Sequence, residues 1–306
     1  MATKKPKTAA KTAAKPKTAA KKTVKTTVAS KPVSTAKTET VESKTKKGVF
    51  CGFFAKKYEG NESILTIFKQ PKLYGALIGE VIGVMVLTML MFTLSFIGVQ
   101  SIAIHAFALI ALIVAVYSFS GAHLNPLVTV GMMATRRVSV IRGILYIIAQ
   151  ILGAWLGYLI FNAFQLRGGA TAYPVPTMAE IAEGNFWVIT LIEMLGAIII
   201  GFFFARALSY KRSVFTFAAV VTGGIVSAFL IAFIVSAAFL GTQGNFIMNP
   251  AIAFMYQIFP VAGENFGEIF GGICSALATY ALFPMIGGVV GFYLADFASK
   301  LSGEQA

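Results

Sequence analysis

Two asparagine–proline pairs lie within apolar sequence and are the residues best suited to bind a polar solute. The first is Asn125-Pro126-Leu127 and the second is Asn249-Pro250-Ala251. Asn is a favoured helix N-cap, and Pro is tolerated at the first helical position because its missing N–H would have no partner there. Each pair therefore predicts a short helix that offers its positive dipole end and a side-chain amide to a ligand. A single such pair is usually only a turn.

The two pairs occupy equivalent places in two halves of the chain. Apolar runs follow them at 127–134 and 251–258, and both runs are too short to cross a membrane. A lone acid lies in the first long apolar stretch of each half, Glu80 in one and Glu193 in the other. Inverted repeats place a shared site at the bilayer midplane, where discontinuous helices present their N-termini. We therefore expect the two helix tips to meet there.

The elements that position the pairs are membrane spans. The chain is 57% apolar and 12% charged, which excludes an ordinary soluble enzyme. Apolar stretches of about 20 residues are long enough to cross the hydrocarbon, and three in each half force the second half to enter inverted. The spans are predicted near 73–97, 101–120, 141–163, 186–207, 214–238 and 277–298.

Basic residues set the expected orientation. If the spans alternate in direction, Arg167 is the only basic residue on one side of the membrane. Lys and Arg accumulate on the cytoplasmic side, so both termini are predicted to be cytoplasmic in a multi-pass protein of the plasma membrane. The basic residues on that side, besides those of the N-terminal segment, are Arg136, Arg137, Arg142, Arg206, Lys211, Arg212 and Lys300.

The N-terminal segment differs from the rest of the chain. Residues 1–72 contain 18 lysines and four glutamates, whereas 73–306 contain eight basic and eight acidic residues. We predict a disordered basic tail over 1–50, a juxtamembrane segment over 51–72 and a channel domain over 73–306, with repeats at about 73–163 and 186–298. The tail is interpreted as a solvated extension, as a ligand of anionic lipid headgroups or, more weakly, as a nucleic-acid contact.

The residues around the pairs resemble a known family. The segment from Ser120 to Thr129 (SGAHLNPLVT) is similar to the first signature of the aquaporin, or major intrinsic protein, family, and Met248–Ala251 is similar to the second. Glu80, Glu193 and the closing segment 284–288 fit the same family. The resemblance covers about 73–298. Leu127 departs from it, since the family usually has Ala there.

The resemblance implies a fold and roles for individual residues. The fold is an all-α membrane protein with six transmembrane helices and two re-entrant half-helices in two inverted three-helix repeats, assembled as a homotetramer. Asn125 and Asn249 would donate hydrogen bonds to a passing solute, while Glu80, Glu193 and His123 would brace the re-entrant loops. The family's outer constriction maps, by counting from the motifs, onto His105, Ala237, Phe246 and Ile252.

The implied function is a passive channel for water and for small uncharged solutes such as glycerol, urea and ammonia. No catalytic residue, metal site or cofactor is expected, because no nucleophile–base pair or ligand spacing is present in the spans. Ile252 stands where the family nearly always has Arg, so the usual selectivity is in doubt. Two alternatives stay open: a proton-coupled transporter in which Glu80 or Glu193 titrates, and a membrane anchor for the basic tail with an inactive pore.

Overall fold

The computed structural model describes residues 64–97, 102–168, 186–210, 213–240, 246–258 and 265–303, which form helices and short connections. The predictions for the tail at 1–50, and for most of 51–72, lie outside these residues.

Six helices are long and apolar enough to cross a membrane, which confirms the predicted number of spans. After a short helix α1 (Ile64–Ile67), the first repeat contains α2 (Pro71–Ile97), α3 (Ile102–Ser120), the half-helix α4 (Pro126–Ala134) and α5 (Val140–Arg167). The second repeat contains α6 (Phe186–Ala207), a 3₁₀ turn (Leu208–Tyr210), α7 (Val214–Leu240), the half-helix α8 (Pro250–Ala253) with a π-helical turn (Phe254–Ile258), and finally α9 (Phe266–Leu277), a second π-helical turn (Ala278–Leu282) and α10 (Phe283–Leu301).

The sixth span begins earlier than predicted, at Phe266 and not near residue 277. Asn265 caps its first turn, since its Oδ1 accepts the backbone N–H of Glu268 at 3.0 Å. The span is interrupted at Ala278–Leu282 by the π-helical turn. Pro284 follows that turn directly, and a proline has no N–H and crowds the carbonyl four residues earlier. The loosened hydrogen-bond ladder before Pro284 therefore has an identifiable cause.

Glycines bring the spans of each repeat into backbone contact. A Cβ added at Gly153 or Gly157 of α5 would collide with a backbone carbonyl of α2, at Val81 or Met85. In the second repeat a Cβ at Gly287 or Gly291 of α10 would collide with a carbonyl of α6, at Met194 or Ile198. Small residues at spacing four allow such close approach between membrane helices. The two repeats are therefore packed in the same way.

The half-helices close the middle of the bundle. The first half-helix, α4, packs against α10 of the other repeat and against α5, whereas α8 packs against α5. The helices α3 and α7 lie side by side across the boundary between the repeats. Six alternating spans and two half-helices in inverted repeats confirm the predicted fold class.

Replacing Gly153 by Ala is expected to lower stability by about 1–3 kcal/mol, because the added methyl group would overlap the Val81 carbonyl. The matched control is Gly75→Ala, since a Cβ at Gly75 of α2 meets nothing within 4 Å. Thermal unfolding of both variants in detergent measures the difference. Equal stability of the two would contradict the close approach of α2 and α5.

Candidate functional site: two helix tips

The tips of the two half-helices are bonded to each other. Each asparagine caps its own half-helix: Oδ1 of Asn125 accepts the N–H of Leu127 at 3.0 Å, and Oδ1 of Asn249 accepts the N–H of Ala251 at 3.2 Å. Each side chain also crosses to the other repeat. Nδ2 of Asn125 donates to the Met248 carbonyl at 2.8 Å, and Nδ2 of Asn249 donates to the Leu124 carbonyl at 2.9 Å. An amide nitrogen carries two N–H donors, so one on each asparagine is left for a further acceptor.

The residues before the two asparagines adopt a strained backbone. Leu124 has a φ of 51° and Met248 has a φ of 48°, a region that side chains other than Gly rarely occupy. These residues supply the carbonyls that accept the crossed asparagine bonds. Strain of this kind persists where the surroundings fix it, and it is found most often at functional sites. The left-handed conformation therefore belongs to the geometry of the paired tips.

A buried carboxylate binds the backbone of each loop. Glu80 on α2 accepts the N–H groups of His123 at 3.0 Å and Leu124 at 2.8 Å. Glu193 on α6 accepts those of Ile247 at 2.7 Å and Met248 at 2.9 Å. Both glutamates are fully buried. At membrane depth an N–H without a partner costs several kcal/mol, so these four contacts allow irregular backbone to persist inside the bundle.

The first repeat has a further polar contact that the sequence reasoning missed. Nε2 of Gln150, on α5, lies 2.7 Å from Oε2 of Glu80 and 3.0 Å from the hydroxyl of Thr129. Gln150 is fully buried. Its signal was present in the sequence, because a Gln inside an apolar span needs a polar partner. The equivalent of Thr129 in the second repeat is Ala253, four residues after its asparagine.

His123 lies inside the first loop and is buried. Besides the backbone bond to Glu80, its ring Nδ1 lies 3.2 Å from the Thr129 hydroxyl. The ring also packs edge-on against Tyr146, with a centroid distance of 5.0 Å, and against Phe204 at 6.0 Å. These contacts hold the imidazole among elements of both repeats.

The four residues counted onto the outer constriction lie in different surroundings. Ile252 is 3% exposed within the apolar core, and Phe246 packs partly buried against that core. His105, in the first turns of α3, is half-buried, and Ala237, near the end of α7, is exposed. Because α3 and α7 are antiparallel neighbours, the start of one and the end of the other share one end of the bundle. We call this end the opposite mouth.

The other end of the bundle is rich in arginine, and we call it the arginine mouth. Nη2 of Arg137 forms an ion pair with Oδ1 of Asp296 at 2.6 Å. Nη2 of Arg142 donates to Oε1 of Gln70 at 2.9 Å. A cavity of about 310 Å³ lies beside them. Its lining residues are Tyr117, Ser120, Gly121, His123, Met132, Arg137, Val138, Arg142, Tyr146, Phe204 and Leu208.

The described part of the chain contains no group of three or more His, Cys, Asp or Glu residues that could hold a metal ion. The polar groups at the tips are instead hydrogen-bond donors held in fixed positions. Such an arrangement can bind and release the oxygen of a small solute.

Comparisons with known proteins agree with this geometry. Residues 67–297 match the family model described as Major intrinsic protein. The chain is 29% identical over 187 residues to a probable aquaporin of TIP type from Medicago truncatula, covering 58% of this chain and 69% of that protein. It is 33% identical over 192 residues to Aquaporin TIP2-3 from Zea mays, covering 62% and 68%. Among solved structures, the aquaglyceroporin from Plasmodium falciparum aligns with a TM-score of 0.49 at 17% identity, covering 74% of this chain and 95% of that one.

Glu193→Gln is expected to destabilise the fold by about 1–3 kcal/mol. A glutamine offers one acceptor oxygen and one NH₂ group, so Ile247 or Met248 would be left with its N–H facing another donor. Thermal unfolding and yield in detergent measure the loss. Glu268→Gln, at an exposed position in α9, is the control. A Glu193→Gln protein as stable as this control would show that the carboxylate does not hold the loop.

Proposed function

Since the chain belongs to the major intrinsic protein family, whose members are channels and not enzymes, we propose that it is a passive pore for water and small uncharged solutes, including glycerol, urea and ammonia. The observation that carries the proposal is the crossed pair of bonds by which Asn125 and Asn249 hold the two half-helix tips together. The pore is formed within one subunit, and the assembly is a homotetramer.

The conduction step uses the second N–H of each asparagine. A solute oxygen at the tips accepts from Asn125 and Asn249 in turn, or from both at once. A water molecule that accepts two such bonds points its own hydrogens away from both donors, so it cannot relay a proton along the file. The positive ends of the two half-helices raise the energy of a cation at the same point. Glu80, Glu193 and His123 act as braces that fix the loops.

The outer constriction lies at the opposite mouth and involves His105, Ala237, Phe246 and Ile252. An isoleucine at position 252 supplies neither a charge nor a hydrogen-bond donor. The constriction therefore excludes solutes mainly by size, and its selectivity is broader than that of a strict water channel.

The arginine mouth faces the cytoplasm, together with both termini, in the plasma membrane. The support is the concentration of basic residues at that end, with Arg167 at the other. Lysines next to a membrane gain roughly 1 kcal/mol each from anionic headgroups, which makes those lipids the partner of the N-terminal segment.

Purified protein is expected to accelerate osmotic shrinkage of liposomes without an ion gradient, because the path needs no coupled ion. Stopped-flow light scattering measures the rate, with empty liposomes as the control. Solute uptake that required a proton gradient would contradict the passive pore and favour a proton-coupled carrier. Absence of any flux would favour the membrane anchor.

Ile252→Arg is expected to reduce glycerol and urea permeability several-fold relative to water, because a guanidinium narrows the constriction and adds fixed donors. His105→Ala is expected to shift the same ratios the other way by removing a bulky ring. Ile252→Val serves as the matched control for a change of side chain without charge. If Ile252→Arg left every ratio at the wild-type value, residue 252 would not belong to the constriction.

Deleting residues 1–47 is expected to leave the osmotic water permeability nearly unchanged while abolishing salt-sensitive binding to anionic vesicles. The reason is that a Lys-rich segment binds headgroups by charge, which salt screens. Flotation with anionic and with neutral vesicles distinguishes the two forms of the protein. A truncated protein that no longer conducts water would show that the segment controls the pore.

A further inference from the structure

We propose that the cavity at the arginine mouth is a second selectivity element, in which Arg137 and Arg142 exclude cations and offer donors to solute oxygens. It takes the place of the charge that Ile252 does not supply at the opposite mouth. The inference rests on the proposed function, because a cation barrier has meaning only on a conduction path.

The cavity adjoins the paired tips. His123, which lies two residues before Asn125, is part of its lining, and so is Met132 of the half-helix α4. Tyr117 comes from α3 and Phe204 from α6, so elements of both repeats converge on it. A solute that leaves the tips toward the arginine mouth therefore meets this space next.

The Arg137 side chain is fixed and retains an unused donor. Its Nη2 is bonded to Asp296, and its guanidinium carbon lies 5.7 Å from the centroid of the Phe292 ring. Nη1 of the same group is buried and has no hydrogen-bond partner among the described residues. A buried donor without an acceptor is costly, and a solute oxygen in the cavity would satisfy it. This is the service that an arginine in the constriction would perform.

The net charge of the cluster is positive. Asp296 compensates one arginine, whereas the contact of Arg142 with Gln70 is to a neutral amide. A fixed charge in a partly buried site interacts more strongly than in water, because the effective dielectric constant is lower. A cation that enters from this side is therefore repelled before it reaches the half-helix tips, while an uncharged solute is not.

A charge series tests the proposal. The variants are Asp296→Asn, Arg142→Gln, Arg137→Gln and the double variant Arg137→Gln/Arg142→Gln, each reconstituted as the full chain in liposomes. The measured quantity is K⁺ permeability divided by osmotic water permeability. The ratio is expected to fall below wild type for Asp296→Asn, to rise for each single arginine variant and to rise at least about tenfold for the double variant.

Two controls separate the cavity from the rest of the surface. Lys300→Gln removes an exposed charge near the same end but outside the cavity lining, and its ratio is expected to equal that of wild type. Arg142→Lys keeps the charge and is also expected to keep the ratio low. If Arg137→Gln fails to fold because Asp296 loses its partner, Arg142→Gln and Asp296→Asn still move the charge in opposite directions.

The possible results are distinct. A ratio that follows the charge of the cavity supports the second selectivity element. A ratio that is flat across the series, or that responds equally to Lys300→Gln, overturns it while leaving the water pore intact. A wild-type protein that conducts no water overturns the proposed function and this inference together.

Discussion

The structure depends on satisfying irregular backbone at membrane depth. Two loops enter the bundle and place N–H and C=O groups where no water is available, which a lipid-exposed segment could not tolerate. Two sets of bonds meet the requirement: Glu80 and Glu193 accept the loop N–H groups, and Asn125 and Asn249 donate to the loop carbonyls. The same bonds leave one amide donor of each asparagine for a solute. Structural support and solute binding thus use the same residues.

The two repeats solve this requirement unequally. In the first, Gln150 and Thr129 extend the contacts of Glu80 into a network of buried polar side chains. In the second, Ala253 stands at the position equivalent to Thr129, and the described contacts of Glu193 are with backbone N–H groups. The charges are unequal as well, since arginines gather beside the first half-helix and Ile252 follows the second motif. An inverted repeat with unequal halves gives the pore two chemically different mouths.

Much of the fold could be predicted from the sequence, because hydrophobic length and helix capping are local properties. The six spans follow from apolar stretches of sufficient length, and the half-helices follow from an N-capping Asn with Pro at the first helical position. The π-helical turn before Pro284 could not be located, although the proline itself was visible. Nor could the partner of Arg137, since Asp296 lies 159 residues away and neighbouring positions carry no mark of the pairing.

The candidate site was predictable in its residues but not in its bonds. Spacing identified the two asparagines and the two glutamates, whereas the crossed contact of Asn125 with Met248 depends on how the tips meet in three dimensions. The left-handed backbone at Leu124 and Met248 has no sequence signal, because neither residue is a glycine. Local rules fail there for a physical reason: the bonds around the tips, and not the intrinsic preference of the residues, fix the backbone.

Ordered water at the helix tips tests the arrangement most directly. A high-resolution structure of the protein in a lipid bilayer would show whether solvent lies between the two half-helices. The expected result is a continuous file of waters, with one water within hydrogen-bond distance of Nδ2 of both Asn125 and Asn249. A dry junction in which protein acceptors satisfy both donors of each amide would contradict a conducting pore at the paired tips.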